Sequence, residues 1–430
     1  MKPTISFFTL GCRLNKAETA TLERYFEASG YQVVDFKEPA DIVVVNTCTV
    51  TANGDADTRR LVNKVNRQQP NAKIALIGCQ AQLQAEKLAE MNNVQWVVGT
   101  THKMELPVIL AEEPEGAATN IVVNKIPRKS FTMPAAGIDH KHTRANLKVQ
   151  DGCDFYCTYC EIPYARGHAR SREFDDILSE AAQLTTAGHH ELVLTGINVG
   201  CYDYKGKRFP DVIEELLQAE DLLRLRISSI EPTTIGDEVL ALMTRNPKLC
   251  RHLHIPMQSG CNETLARMKR RYSVDEFEAF VMQAYDAVPG LNIGTDVMVG
   301  FPGETEEEFE TTRATCERLP YAYMHVFSYS ERKNARSSKF EGIERIPPQE
   351  IARRSKILHQ VSDRKRQAFM EQFIGTTQSV LVEQEKKGFW SGLTDNFIRV
   401  HFPAARDLTN QLVEVTLEEA DGQLMRGKLA

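Results

Sequence analysis

Short apolar runs rich in Val and Ile alternate with helix-like stretches along most of this 430-residue chain, and that alternation constrains its fold more than any other feature. Ile5–Leu10, the run Asp41–Asn46, Lys73–Gly78 and Trp96–Gly99 read as strands. Lys16–Ser29, Asp55–Gln69 and Gln80–Met91 read as the helices between them, the first stopped by Gly30 and the second by Pro70. Strands joined through helices run parallel, and a parallel sheet needs helices on both faces. Residues 1–112 are therefore expected to form a Rossmann-like parallel α/β domain. Residues 113–142 open with Glu113-Pro114-Glu115-Gly116, carry Pro127 and Pro134, and read as a linker crossing the surface. Alternation resumes over 143–345, with strands expected at Ala145–Val149, Glu191–Leu194, Leu225–Ile230, Leu253–Ile255, Gly294–Val299 and Ala322–Phe327. Six such units predict a partial β/α barrel, whose functional residues gather where strands end. A cationic helix with Arg353, Arg354, Lys356, Arg364, Lys365 and Arg366 completes this domain, 143–370. Residues 371–430 then switch to short strand-like runs at Thr377–Val382, Gly388–Trp390, Ile398–Val400 and Gln411–Leu417, which predict a small all-β barrel.

Composition narrows the function. The net charge of −6 lacks a bulk basic signature for nucleic acid, so any RNA contact rests on local patches. The terminal barrel is itself slightly acidic. Its Phe389, Trp390 and Phe397 either stack on bases or form its core, and the cationic helix either tracks an RNA backbone or is a solvated face. No run of ~18 apolar residues occurs, so no membrane span is expected. The short apolar start after Lys2 does not make a secretory signal, and a cytoplasmic address follows. Ten cysteines in a reducing compartment read as metal ligands or catalytic groups rather than disulfides. Cys201, Cys250, Cys261 and Cys316 lack metal-ligand spacing and read as buried small hydrophobes.

The other six cysteines fall into two groups. Cys153, Cys157 and Cys160 lie in one loop directly after an expected strand. A four-iron cluster is saturated by four thiolates, so three leave one iron open to a chelating ligand. The alternative is a zinc site with His168 as a fourth ligand. Cys12, Cys48 and Cys79 are far apart in sequence, but each follows an expected strand. In a parallel sheet they meet at one edge, either as a second three-thiolate site or as buried thiols. Arg166, Arg170 and Arg172, just past the cluster loop, read as phosphate or carboxylate ligands or as solvated cations.

The loop Cys153-Asp154-Phe155-Tyr156-Cys157-Thr158-Tyr159-Cys160 resembles that of the radical S-adenosylmethionine enzymes. Thr9-Leu10-Gly11-Cys12-Arg13-Leu14-Asn15, Asn46-Thr47-Cys48-Thr49-Val50 and Gly78-Cys79-Gln80-Ala81-Gln82 resemble the N-terminal signature of the methylthiotransferases within that superfamily. The resemblance spans essentially the whole chain, and the terminal barrel resembles the TRAM module of these enzymes. It implies two 4Fe-4S clusters, a catalytic one on Cys153, Cys157 and Cys160 and a sulfur-delivering one on Cys12, Cys48 and Cys79. It also implies S-adenosylmethionine as cofactor, with Tyr159 near the adenine and Thr195, Gly196 and Asn198 at the methionine end. Ser229 and Glu231 are expected at the ribose or ammonium, with an ion pair or cap as the other reading of Glu231, and Gln258 is expected to face the cleft. Leu10-Gly11-Cys12-Arg13-Leu14-Asn15 and Asn46-Thr47-Cys48-Thr49-Val50 look most like the branch that methylthiolates C2 of N6-threonylcarbamoyladenosine 37 in the tRNA anticodon loop, and His325-Val326-Phe327-Ser328-Tyr329-Ser330-Glu331-Arg332 also fits it. Such an enzyme needs a low-potential electron donor such as flavodoxin or ferredoxin. The alternatives are isopentenyladenosine 37, a ribosomal-protein aspartate, a one-cluster methyltransferase, or a non-enzymatic RNA-binding protein that uses metal only to fold.

Overall fold

The computed structural model describes residues 2–49, 52–112, 118–134 and 143–430. The N-terminal sheet has six parallel strands in the order Gln32–Val34, Thr4–Thr9, Ile42–Thr47, Lys73–Gly78, Val94–Val98 and Asn120–Val122. Every residue of Ile42–Thr47 is buried, as a central strand covered on both faces requires. One face packs Phe7, Phe26, Val44 and Trp96, and the other packs Val43, Leu61, Val65 and Leu76. Two strands were not expected. Gln32–Val34 is a short edge strand, and Asn120–Val122 falls inside the expected linker and adds the opposite edge. The rest of that linker includes 113–117 and 135–142, which lie outside the described residues, as does Val50. The expected helix Gln80–Met91 is two short helices, Cys79–Leu83 and Ala85–Ala89, because Gln84 leaves helical geometry at φ −138°.

The six expected central strands all form, in two parallel groups. Arg144–Lys148, Glu191–Thr195 and Arg224–Ile227 make one; His252–His254, Asn292–Val299 and Tyr323–Ser328 make the other. Bridges at Leu225/Leu249 and Ser229/His254 join them into an open arc, with Arg144–Lys148 and Tyr323–Ser328 as its free edges. Alternation sorts the side chains. Ala145, Leu147, Leu192, Leu194, Leu225 and Ile227 pack outward against helices in the largest apolar cluster. Arg144, Glu191, Arg224 and Arg226 line the concave side, where Glu191 gathers Arg226 at 2.6 Å, Arg144 at 3.9 Å and Arg224 at 4.0 Å. The helix Arg13–Ala28 of the N-terminal unit packs against the edge strand Arg144–Lys148.

The terminal strands Thr377–Lys386, Phe389–Thr394, Arg399–Pro403, Leu424–Leu429 and Leu412–Asp421 close into a barrel in that order. Trp390 is in its core, which removes it as a base-stacking residue. Phe397 is also turned inward, packed against the barrel core. It sits at φ +66° with its ring 4.5 Å from that of His252 and faces Arg226 at 5.1 Å. Around it, Arg226 donates to the carbonyls of Asp395 (2.8 Å) and Thr394 (3.2 Å), and Arg224 donates to those of Leu393 and Ser379. The turn at 394–397 therefore plugs the strand N-terminal end of the arc. Phe389 stays exposed. Half of the cations named on the helix Pro348–Glu371 are paired with acids: Arg353 and Arg354 with Glu350 and Glu306, Arg354 also with Glu304, and Arg364 with Glu317.

Removing one partner of a buried ion pair leaves the other uncompensated. Arg226→Met is expected to lower unfolding free energy by about 3 kcal/mol or more, read from the urea midpoint, and Arg226→Met/Glu191→Leu to recover part of it.

Candidate active site

The cluster loop is set by backbone geometry that only glycine tolerates. Gly152 sits at φ +73°, and a Cβ there would lie 2.0 Å from the His168 carbonyl oxygen. The loop thus doubles back on 167–168, where Cys153 N–H donates to the Gly167 carbonyl at 3.1 Å. A tight turn follows, with Cys160 N–H on the Cys157 carbonyl at 3.0 Å. Cys157 is buried, while Cys153 and Cys160 are partly exposed. Burial pushes the Cys153 thiol up to about 12 and raises that of Cys160. Loading metal here must displace protons.

Arg270 is the cation that reaches a sulfur of this loop, and sequence reasoning missed it. Its Nη1 lies 3.4 Å from Cys157 Sγ and 3.5 Å from the Tyr159 hydroxyl, and its other nitrogen pairs with Glu231. Glu231 thus makes the ion pair of its second reading. Gln150 ties the loop to the next strand end: its amide nitrogen donates to the carbonyls of Asp151 and Gly152, and its oxygen accepts from the N–H groups of Ile197 and Asn198. Gly196 packs on Gln150, where a Cβ would come within 2.9 Å of its oxygen. Thr195 donates to the Val193 carbonyl, and Asn198 bonds Thr234 and the Cys201 sulfur, so these two side chains hold the corner. Ser229 bridges to His254 at the junction of the two strand groups. Gln258 does reach the cleft, lining with Tyr159, Cys160, Asp296, Met298 and Phe327 a cavity of about 180 Å³.

The second cysteine set also converges. Cys48 and Cys79 are buried and Cys12 is exposed. A Cβ on Gly11, at φ +87°, would lie 2.5 Å from Cys48 Sγ. Gly78, at φ +105°, has room for no Cβ, with Asn46 Oδ1 at 2.6 Å. Asn15 stitches the strand ends by donating to the carbonyls of Leu10 and Thr47, and Asn46 donates back to the Asn15 carbonyl. Burial raises the Cys79 thiol against the opposing charges of Arg166 and Lys103, with Cys12 among the groups that raise it further.

Two polar clasps bring the cysteine sets together. Thr49, next to Cys48, donates to Glu161, next to Cys160, at 3.0 Å. Arg332 spans this contact, bonding Glu161, Thr49 and Asp55. Arg166, fully buried, bonds Glu18 and Asn15 of the N-terminal unit and Asp151 beside the cluster loop, all at 2.7–3.0 Å. Lys148 joins Glu18 at 2.7 Å to Asp151 at 2.8 Å. Burial alone would raise Glu18, but Arg166, Lys103 and Lys148 hold it well below the usual range. Arg172 is likewise buried, on Glu180 and Asp176, and Arg170 lies 3.4 Å from Asp151. These arginines serve the interior rather than a phosphate.

The donor sets fit clusters better than single ions. Among the described residues, the one group of His, Cys, Asp or Glu with all ligand atoms within 4.8 Å is His254, Asp296 and His325, so neither cysteine triplet is that compact. His168, the zinc alternative's fourth ligand, has Nδ1 on Asp154 and Nε2 on Arg128. Three thiols spaced around a glycine-shaped crevice match a cluster with one open iron.

Comparison with known proteins agrees with this geometry. Residues 147–316 match the radical SAM superfamily, and residues 4–99 match a family described as uncharacterized protein family UPF0004. The threonylcarbamoyladenosine tRNA methylthiotransferase MtaB of Bacillus subtilis is 35% identical, over 98% of this chain and 96% of its own. Its counterpart from Aquifex aeolicus is 37% identical, over 92% and 96%. A tRNA-2-methylthio-N(6)-dimethylallyladenosine synthase from Endomicrobium trichonymphae is 28% identical, over 96% of each chain. In fold, the chain resembles the radical S-adenosylmethionine methyltransferase TsrM from Kitasatospora setae, with TM-score 0.57 and 16% identity, over 76% of this chain and 75% of that one.

Gly152→Ala is expected to leave the far-ultraviolet circular dichroism unchanged and to lower the iron retained after anaerobic reconstitution, because the loop must swing away from His168.

Proposed function

The chain belongs to the radical S-adenosylmethionine tRNA methylthiotransferases of the threonylcarbamoyladenosine (MtaB) type, and on that premise we propose how its residues divide the work. Its reaction places a methylthio group on C2 of N6-threonylcarbamoyladenosine 37 in tRNA. That carbon carries an unactivated C–H bond that no side-chain base ionises usefully, so the difficult chemistry falls to cofactors. Cys153, Cys157 and Cys160 hold one 4Fe-4S cluster, and Cys12, Cys48 and Cys79 hold the other. When bound, the clusters and S-adenosylmethionine supply reductive cleavage of the sulfonium and the sulfur to be transferred.

The chain's own residues position and exclude. The observation that carries the two-site reading is the Thr49–Glu161 hydrogen bond, which sets the neighbours of Cys48 and Cys160 side by side. Two reactive centres held so close need no diffusing sulfur carrier. Arg270 lays positive charge beside Cys157 and Tyr159, and Glu231 anchors it. Met298 and Phe327 make one wall of the cavity apolar, and Gln258 and Tyr159 offer the polar edges that orient a nucleoside cofactor. Thr195, Gly196 and Asn198 belong to the corner that Gln150 ties to the cluster loop, and Ser229 to the junction of the two strand groups; none of them lines this cavity.

Residues 1–112 carry sulfur delivery, 143–370 carry cofactor cleavage and 371–430 carry part of the RNA contact. With Trp390 and Phe397 internal, the exposed Phe389 beside Lys386 and Lys387 is the barrel's stacking candidate. Among the described residues no helix is long and apolar enough to cross a membrane, and a tRNA substrate and a flavodoxin or ferredoxin donor fit a cytoplasmic setting.

Iron and sulfide per chain after anaerobic reconstitution test the two sites. About eight irons are expected, falling to about four in the Cys153/Cys157/Cys160→Ala variant. Four falling to none would leave one cluster and remove the sulfur-delivery argument. Mass spectrometry of tRNA nucleosides should show no methylthiolation with Cys157→Ala. Cys48→Ala should still cleave S-adenosylmethionine without modifying tRNA.

A further inference from the structure

Threonylcarbamoyladenosine differs from plain adenosine by a side chain that ends in a carboxylate. A site that reads this group needs a cation the protein itself leaves unpaired, near the sulfur-delivering thiols. Arg13 meets both conditions. It follows Cys12 directly and opens the helix Arg13–Ala28. Among the described residues its guanidinium makes no hydrogen bond and no ion pair; its charged or titratable neighbours include Tyr323, Arg144, Arg226, Glu191 and His252. Glu191 is already engaged, with both oxygens on Arg226 at 2.6 and 3.3 Å, and Arg144 bonds Glu383 at 2.7 Å.

The surroundings reinforce the imbalance. A cavity of about 190 Å³ is lined by Arg13, Lys16, Arg24 and Arg144 with no carboxylate in its wall. Arg24 pairs with Glu180 at 3.6 Å, so the excess of positive charge centres on the Arg13 end. The Arg13 guanidinium carbon lies over the Phe397 ring, 5.4 Å from its centre. A cation–π contact uses none of the N–H groups, so they stay free for a two-pronged bond to a carboxylate. Arg13 remains accessible to solvent within this crevice.

We propose that Arg13 binds the carboxylate of the threonylcarbamoyl group and so selects that base over adenosine or isopentenyladenosine at position 37. An apolar side chain placed there would bury the guanidinium without a partner, which adds rejection to attraction. The inference rests on the substrate reading above. An anion in this crevice has a second source, an RNA phosphate, and the test separates the two.

Binding of the reconstituted full-length chain is measured to three anticodon stem-loops that differ only at position 37: threonylcarbamoyladenosine, its methyl ester and adenosine. Wild type is expected to bind the acid about tenfold or more tighter than the ester or adenosine, the range of a charged hydrogen bond. Arg13→Gln is expected to bring the acid down to the ester's affinity and leave adenosine unchanged, with Arg13→Lys intermediate. Wild type binding ester and acid equally would overturn the proposal without any mutation, so a folding defect in the variant cannot mask the answer. Equal weakening of all three RNAs by Arg13→Gln would also overturn it and assign Arg13 to a phosphate. If wild type methylthiolates none of the three, the substrate reading itself falls, an outcome distinct from loss of acid-over-ester preference.

Discussion

Arg166 is the contact on which the rest of the structure depends. It is fully buried, and its bonds run to Asn15 and Glu18 in one unit and to Asp151 in the other. Lys148 and Lys103 share Glu18 and Arg170 adds to Asp151, which makes a network of two carboxylates and four cations away from water. Burying such charges costs several kcal/mol per ion, and apolar side chains of the same volume would often be as stable. What charges add is geometry: an ion pair at about 3 Å tolerates less sliding than an apolar contact. Here Asn15 lies three residues from Cys12 and Asp151 two residues from Cys153. The network therefore sets the spacing of the two thiol triplets.

The same economy of position explains the terminal barrel. Its sheet is an ordinary closed barrel, yet the turn at 394–397 reaches into the arc and meets Arg226, Arg251 and His252, while Arg224 donates to the Leu393 and Ser379 carbonyls beside it. The turn covers part of the strand N-terminal end of an arc rich in arginine, at the opposite end from the cluster loop. A module that reads as a peripheral RNA clamp is thus also a structural stopper. Its link to the long helix Pro348–Glu371, through Phe369, Met370 and Phe373, fixes it as part of one core.

The fold was legible where the determinants are local. Parallel strands announce themselves by β-branched runs, and all six strands of the arc fall within a few residues of their expected places. The edge strands Gln32–Val34 and Asn120–Val122 did not, because three residues pairing on one side carry almost no periodicity. The cysteine loop was legible because three thiols at that spacing have few other uses. Arg270 was not: it reaches Cys157 from 113 residues away, and an arginine's partner leaves no mark on its neighbours in sequence. The aromatic residues of the barrel misled for the same reason, since Phe397 and Phe389 look alike until the chain closes around one of them.

By itself the sequence determined which atoms were available: six thiols at strand ends, glycines at 11, 78 and 152 that permit the backbone to approach them, and alternating runs that force parallel sheets. Those properties depend on residue type and spacing, which the chain carries with it unfolded. Only the tertiary structure decided which charges find partners. Glu231 was taken by Arg270, Glu161 by Arg332, and the arginines after the cluster loop by buried acids, while Arg13 was left with an aromatic face and no carboxylate. Pairing is a matter of a few ångströms between distant segments, and no local pattern sets it.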